Sequence, residues 1–385
     1  VAPNDGPLRV ALIASSFAPH VGGVETHVDR VAAELSASGH EVEVWTVDRG
    51  MRPDAAPPAV VRYLPTPLPA RSARGALRML WAIPRAWRAW RRAHRRFAPD
   101  ILAVQCFGPN GLYALALHRR FKTPLVVSSH GETLGDDGGV YARSALLRRG
   151  LRSSLALAAA VTAPSTYVLD DLRGRFGLEG GTIVPNGVDL SLGVEDPGSP
   201  RLPLVVAVGR LGRMKGFDLL ITAMAQPGFE SVRLEIIGDG PERARLQRQI
   251  DAAGLGERML LTGAADAEGV ARRIAAASVL VVPSRSESFG IVALEAWRGG
   301  AALVMTSRGG ASDFVRDGED GLLVDPEDTD ALATAIRSLI EDEGRRRRFA
   351  EAGSRRVPEF TWGRVASAYE RLFARVRDEA RGRSR

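Results

Sequence analysis

Runs of strand-forming apolar residues alternate with helical stretches along the whole chain, and they do so in two successive series. The first comprises RVALIAS (9–15), EVEVWTV (41–47), ILAVQ (101–105), PLVVSSH (124–130) and AAVTAPS (159–165). The second comprises PLVVAVGR (203–210), RLEIIGDG (233–240), RMLLTG (258–263), ASVLVVPS (277–284) and AALVMTS (301–307). Segments of helical periodicity lie between them, such as ETHVDRVAAELSASG (25–39) and the region from Tyr141 to Leu157. Near-continuous apolar strands separated by helices predict parallel sheets covered on both faces. The stretch SLGVEDPGSPRLP (191–203), rich in Gly, Pro and Ser, splits the α/β pattern into two halves of similar length. The reading is therefore an N-terminal domain over 1–190, a linker over 191–203, a C-terminal domain over 204–360 and a closing segment over 361–385. That segment carries one long amphipathic helix (361–383), with Val365, Tyr369, Leu372, Phe373 and Val376 on one stripe. Sheets of this kind bind ligands outside the carboxyl ends of their strands, so a cleft between the halves is the expected site.

Composition narrows the class. With 385 residues, each half is large enough to bury its own core. A hydrophobic content of 45% and a charged content of 25% describe a globular protein, and no apolar run reaches the roughly 18 residues of a membrane span. The opening VAPNDGPLRVALIASSF lacks a charged n-region followed by a long apolar h-region, which predicts a cytoplasmic protein. Cys106 is the single cysteine, excluding an intrachain disulfide framework and a cysteine-rich metal site. Lysine occurs only at Lys122 and Lys215, so 52 − 2 = 50 of the basic residues are arginine. That bias fits codon usage in a GC-rich, bacterial genome. The net charge of +7 would attract nucleotides, membranes or nucleic acid, and does not choose among them.

Glycines mark the ends of several strands. Gly22 and Gly23 separate the first strand from the first helix, where a helix N-terminus offers amide donors; a mere tight turn is the alternative. The pair is not a G-x-G-x-x-G fingerprint, which argues against a nicotinamide site. In VGRLGRMKGFDLL (208–220), Arg210 leaves a strand and Lys215 stands just before a helix. Two cations there suit a diphosphate, one as a planar fork and the other as a point charge, against a solvated loop as the alternative. A lysine in a chain that writes its cations as arginine favours a specific requirement at Lys215. IIGDGPERARL (236–246), with Gly238, repeats the strand–glycine–helix pattern, as does SRGGASDFVRDGEDGLLVDPED (307–328) around its glycine pair. In SESFGIVALEA (286–296), Glu287 and Glu295 bracket an apolar run. A serine cap with Glu287 at the positive end of a helix would explain the first carboxylate. Glu295 falls within the apolar helix and needs a partner.

Taken in order, these motifs resemble the retaining glycosyltransferases of the two-domain GT-B fold, in glycosyltransferase family 4. The likeness runs from Leu8 to about Phe373, and the Glu287–Glu295 spacing is similar to that family's Glu-x7-Glu signature. The resemblance implies an α/β fold of two Rossmann-like domains facing across a cleft, with the acceptor on the N-terminal domain and a nucleotide-sugar donor on the C-terminal one. It implies a hexosyl group moved from a nucleotide diphosphate sugar, with UDP-glucose or UDP-N-acetylglucosamine preferred, to a hydroxyl of a small molecule or glycan. The acceptor would attack the face from which phosphate leaves, so no cofactor beyond the co-substrate and no enzymic nucleophile is implied. Arg210 and Lys215 would offset diphosphate charge. Gly22, Gly23, Gly238 and the SFGIV segment (Ser288, Phe289, Gly290, Ile291 and Val292) would lie along the donor. Glu295 would accept from ribose hydroxyls, and Glu287 would orient the donor sugar. His130, at a strand's carboxyl end, would act beside that sugar as the second catalytic residue; a satisfied structural histidine is the alternative.

Other features receive separate readings. Glu132, Asp136 and Asp137 would line an acceptor pocket, against a solvated loop. Asp328 and Asp330 begin a helix and read as capping, so no metal is expected. The segment 71–97 packs nine arginines among Trp81, Trp87 and Trp90 and is interrupted by Pro84. It would either lie on a membrane, where a GDP-mannose- or UDP-sugar-dependent transferase would find a lipid-linked acceptor, or pack on the sheet with its arginines in water. Nucleic acid is not expected, because no stacking or base-reading motif accompanies the charge. A glycosidase-like carboxylate pair, a phosphorylase or epimerase, and a non-catalytic nucleotide-sugar binder are the competing readings. With two lysines, one already assigned, a pyridoxal phosphorylase fits poorly.

Overall fold

A computed structural model describes residues 6–20, 22–52, 59–67, 73–135, 139–192 and 203–383. The fold is α/β, with two compact units: residues 1–185 together with 362–385, and residues 186–361. The first unit holds a parallel sheet of β1 (Arg9–Ala14), β2 (Glu41–Val47), β3 (Val60–Leu64), β4 (Ile101–Gln105), β5 (Leu125–Ser128), β6 (Ala160–Ala163) and β7 (Thr182–Ile183). Its order is β3-β2-β1-β4-β5-β6-β7. The second unit holds β8 (Leu204–Val208), β9 (Arg233–Ile237), β10 (Met259–Gly263), β11 (Val279–Val282), β12 (Ala302–Thr306) and β13 (Leu322–Val324), in the order β10-β9-β8-β11-β12-β13. In each sheet the chain first winds one way and then returns to the other side of its first strand. The crevices this reversal opens lie beyond the carboxyl ends of β1 and β4, and of β8 and β11.

The ten apolar runs of the sequence all become strands. The three strands it does not announce, β3, β7 and β13, are all at sheet edges. Their residues are half-buried or exposed except for Leu64, whereas the β4, β5, β11 and β12 residues are all buried. An edge strand covered on fewer sides needs no continuous apolar run.

One face of the first sheet is covered by the helices Ala73–Phe97, Pro109–Phe121, Ala145–Leu157 and Thr166–Phe176, whose inward residues join one core with Trp45 and Trp90. The helix Gly23–Ala37 packs instead against the final helix, Trp362–Arg383. All five residues of the expected stripe, Val365 through Val376, are buried. The unit boundary falls between Pro185 and Asn186, ahead of the turn-rich stretch, because Val188 pairs with Thr361 and its N–H donates to the Phe360 carbonyl at 2.8 Å. Most of that stretch, 193–202, lies outside the described residues.

Two sequence expectations change in detail. The region from Tyr141 to Leu157 forms two helices, the second capped by the Ser144 side chain, which accepts from the Leu147 N–H. Pro84 does not interrupt its helix: Ala73–Phe97 runs through it. Pro84 is exposed, and proline removes a single N–H donor, so water can satisfy the freed carbonyl.

Candidate active site

In the second unit the loops after β8 and β11 meet at the crevice. Lys215 ends a short 3-10 turn, Arg213–Lys215, and its Nζ donates to Glu287 Oε2 at 2.7 Å. Ser284 Oγ donates to the same oxygen at 2.9 Å. Glu287 is buried, and its backbone is pinned on both sides: its N–H donates to the Arg308 carbonyl and its carbonyl accepts from the Gly310 N–H at 2.9 Å. Gly309 has φ +142°, and a Cβ there would overlap the Glu287 carbonyl oxygen. The glycine pair at 309–310 is thus part of the mounting of Glu287. Gly238 (φ +147°) plays a similar part at β9, where a Cβ would overlap the Gly209 carbonyl beside Arg210. Arg210 itself is exposed, and no carboxylate among the described residues lies within ion-pairing distance of it.

The helix Ile291–Arg298 begins at Gly290, which has φ +88°. That left-handed backbone is what makes glycine fit the entry to the helix; an added Cβ would also press on the movable end of Met305, 2.7 Å away. The amides of Phe289, Gly290, Ile291 and Val292 donate to no acceptor among the described residues, as expected for a helix start. The Phe289 side chain is core, stacked on Phe314 with ring centroids 4.4 Å apart. Glu295 is half-buried, and burial raises its pKa although Arg298 partly opposes the shift. Its carboxylate makes no hydrogen bond to the described residues.

In the first unit His130 follows β5. Its Nε2 lies 2.9 Å from Gln105 Oε1, while Gln105 Nε2 donates to Ser128 Oγ at 3.3 Å. With the Gln105 oxygen as acceptor, the imidazole carries its proton on Nε2 and keeps Nδ1 as an acceptor. His27 packs against His130 with ring centroids 4.6 Å apart. Burial, reinforced by His27, holds the His130 pKa well below its ordinary value of 6.5. Glu132 turns towards the chain: it accepts from the N–H groups of Phe107 and His130, both at 2.8 Å, and from Ser129 Oγ at 2.9 Å. It braces the loops after β4 and β5. Burial nonetheless raises its pKa against those three bonds. Asp136 and Asp137 lie outside the described residues. Gly22 caps the helix Gly23–Ala37 in extended conformation, and the Glu25 carboxylate sits against it. Asp328 caps its helix through the Ala331 N–H at 2.9 Å, and Asp330 accepts from Gln226.

The family described as Glycosyl transferases group 1 matches residues 196–356, and Glycosyltransferase Family 4 matches residues 21–192. The chain is a GT-B glycosyltransferase of the family 4 type. A GDP-mannose-dependent alpha-(1-6)-phosphatidylinositol monomannoside mannosyltransferase from Mycolicibacterium smegmatis is 29% identical over 89% of this transferase and 92% of its own length. The lipopolysaccharide core biosynthesis glycosyltransferase LpsE of Rhizobium meliloti is 37% identical over 45% of this chain, a match spanning half of that relative. Among solved structures, sucrose-phosphate synthase from Thermosynechococcus elongatus superposes with a TM-score of 0.82 at 26% identity, covering 95% of this chain and 98% of its own.

Several residues that shape the loops around Lys215 and around His130 carry no obvious motif. Arg285 clasps both carboxylate oxygens of Asp218 at 2.8 Å and reaches Glu327 at 2.9 Å; its N–H donates to the Met214 carbonyl. It therefore ties the Lys215 turn to the Glu287 loop. Although burial pushes Asp218 up, the Arg285 and Arg245 guanidiniums bring its pKa below the ordinary carboxylate value. Gln105 is the counterpart in the first unit. It is fully buried, and its only sequence signal was an amide at the end of the apolar run ILAVQ.

The His130 environment has a consequence for stability. The folded transferase keeps this imidazole neutral, while the unfolded chain takes up a proton as pH falls below about 6.5. Its contribution is therefore intact above that pH and is lost progressively on acidification. Urea midpoints at about pH 7.5 and about pH 5.5 are expected to differ less in His130→Gln than in the wild type. An unchanged difference would show that His130 does not titrate this way.

Proposed function

We propose that the enzyme transfers a hexosyl group from a nucleotide diphosphate sugar to a hydroxyl of a small molecule or glycan, with retention at the anomeric carbon. The observation that carries this reading is Glu295: a half-buried carboxylate, within a turn of four undonated helix amides, that finds no hydrogen-bond donor among the described residues. Ribose hydroxyls would supply those donors and diphosphate oxygens would accept from the amides. Lys215, shared with Glu287, and Arg210 would neutralise the departing diphosphate, so positive charge is provided by side chains and amides without a metal. Glu287 would orient the donor sugar. The acceptor oxygen forms its bond to the anomeric carbon as the bond to phosphate breaks, and its proton passes to the leaving phosphate oxygen. Neutral His130 would accept a hydrogen bond from a sugar hydroxyl through Nδ1. Because Glu25 already sits at the start of the first helix, Gly22 and Gly23 suit close approach of a hydroxylated portion of the ligand better than a second phosphate. Glu132, occupied by its own loops, acts on the acceptor only through their position.

UDP is the preferred donor base. A second reading, GDP-mannose with a lipid-linked acceptor, is favoured by the name of the near-full-length mycobacterial relative. Thermal melting with each nucleoside diphosphate separates them. One nucleotide at a hundred times its Kd should stabilise the protein by about 2.7 kcal/mol. That shift should disappear in Glu295→Ala. No shift with any nucleotide at about millimolar concentration would overturn the donor site.

A further inference from the structure

Of the four helices on one face of the N-terminal sheet, three carry no acidic residue; the fourth, Thr166–Phe176, carries Asp170 and Asp171, each paired with an arginine of its own helix. Ala73–Phe97, Pro109–Phe121 and Ala145–Leu157 together contain thirteen arginines and no Asp or Glu. On the first of them the inward positions Ala86, Trp90, Ala93 and Phe97 are buried. The opposite stripe, Trp81, Arg85, Arg88, Arg92 and Arg95, is exposed, with spacings of three and four residues that place it on one side of the helix. No carboxylate among the described residues lies within ion-pairing distance of these arginines, nor of Arg119, Arg120 or Arg149 on the neighbouring helices.

Charge is not the only property of this face. Trp81 is 71% exposed, and Ile83 and Leu146 are also exposed. A cleft of about 580 Å3 opens between the second and third helices, lined by Leu112, Leu115 and Leu146 together with Arg119, Arg120 and Arg149. Trp90 Nε1 donates to the Pro65 carbonyl just beyond β3, whereas His94 bonds Thr123 just ahead of β5. The helix thus runs antiparallel to the strands, and its Trp81 end projects past their carboxyl edge, the edge that carries His130.

We propose that this face docks on an anionic lipid bilayer. The arginine stripe would lie among phosphate headgroups, Trp81 would enter the interface, and the cleft on the neighbouring helices would receive a lipid headgroup on its guanidiniums. Nucleic acid would use the charge but not Leu146 and Trp81 exposed among it, which a bilayer uses fully. The docked face would bring the carboxyl edge of the first sheet close to the lipid surface. The inference is independent of the donor chemistry.

Flotation of the full chain with phosphatidylcholine vesicles, with and without about one-third phosphatidylglycerol, tests it. Binding is expected only to the anionic vesicles and should weaken as salt is raised. The triple variant Arg85→Glu, Arg88→Glu, Arg92→Glu should lose affinity at least about 100-fold, at about five-fold per arginine. Its melting temperature should match the wild type. Leu146→Asp, at the cleft, should weaken binding separately. Binding to neutral vesicles alone, undiminished binding of the triple variant, or displacement from vesicles by duplex DNA would each overturn the assignment. Vesicle binding is read without nucleotide sugar, so failure here leaves the transferase reading untouched, and the reverse also holds.

Discussion

Replacing Lys215 with alanine is expected to lower kcat/KM by about 10²- to 10³-fold, the usual loss when a group facing transition-state charge is removed. Two roles could produce a loss, and they separate experimentally. Lys215 holds Glu287 through a 2.7 Å bond, so its removal leaves a buried carboxylate supported only by Ser284 among the described side chains. An unsatisfied buried group costs about 1–3 kcal/mol, which chemical denaturation would register. If Lys215 also meets the diphosphate, nucleotide affinity must fall as well. A variant that is less stable but binds nucleoside diphosphate normally would reduce Lys215 to a support for Glu287. Lys215→Arg is expected to retain nucleotide binding in part, since the charge survives while the point-like ammonium does not.

Gly309→Ala should be the more damaging single-methyl change. Its φ of +142° is accessible essentially only to glycine, and the added Cβ would overlap the carbonyl of Glu287. The two hydrogen bonds that frame Glu287 would have to give way. A loss of about 3 kcal/mol or more in unfolding free energy is expected, with kcat falling at least about 100-fold because the carboxylate moves. Gly318 provides the control: it has φ +78° but nothing within 4 Å of an added Cβ. Gly318→Ala should cost about 1 kcal/mol and leave kcat unchanged. Equal effects at the two positions would mean that backbone strain, rather than displacement of Glu287, governs the loss.

The fold was legible because parallel strands buried on both faces must be apolar along their length, as ILAVQ and VLVV are. It failed to appear in the sequence only where that requirement lapses, at the edge strands β3, β7 and β13. The loops that carry the candidate residues stood out as strand ends followed by glycine. Their internal wiring did not. Lys215 and Glu287 are 72 residues apart, and only the winding of the sheet brings the loops after β8 and β11 together. Arg285 looked like one arginine among fifty until its grip on Asp218 set it apart. Glu132 could not be told from a solvated acid, since two of the three donors that turn it inward are backbone amides, which leave no trace in residue type.

The last helix gives the protein a particular birth order. Tyr369 is buried in the N-terminal unit, where its hydroxyl donates to Ser128, the partner of Gln105 and hence of His130. A ribosome delivers residues 6–185 first, yet the unit they form lacks this contact until Tyr369 has been made, after the whole of the C-terminal unit. The C-terminal unit, complete by Thr361, has its whole sequence in hand sooner. The half that starts first therefore waits for the other, and a chain cut short between Thr361 and Tyr369 loses the support beneath His130 while keeping the unit that holds Lys215 and Glu287.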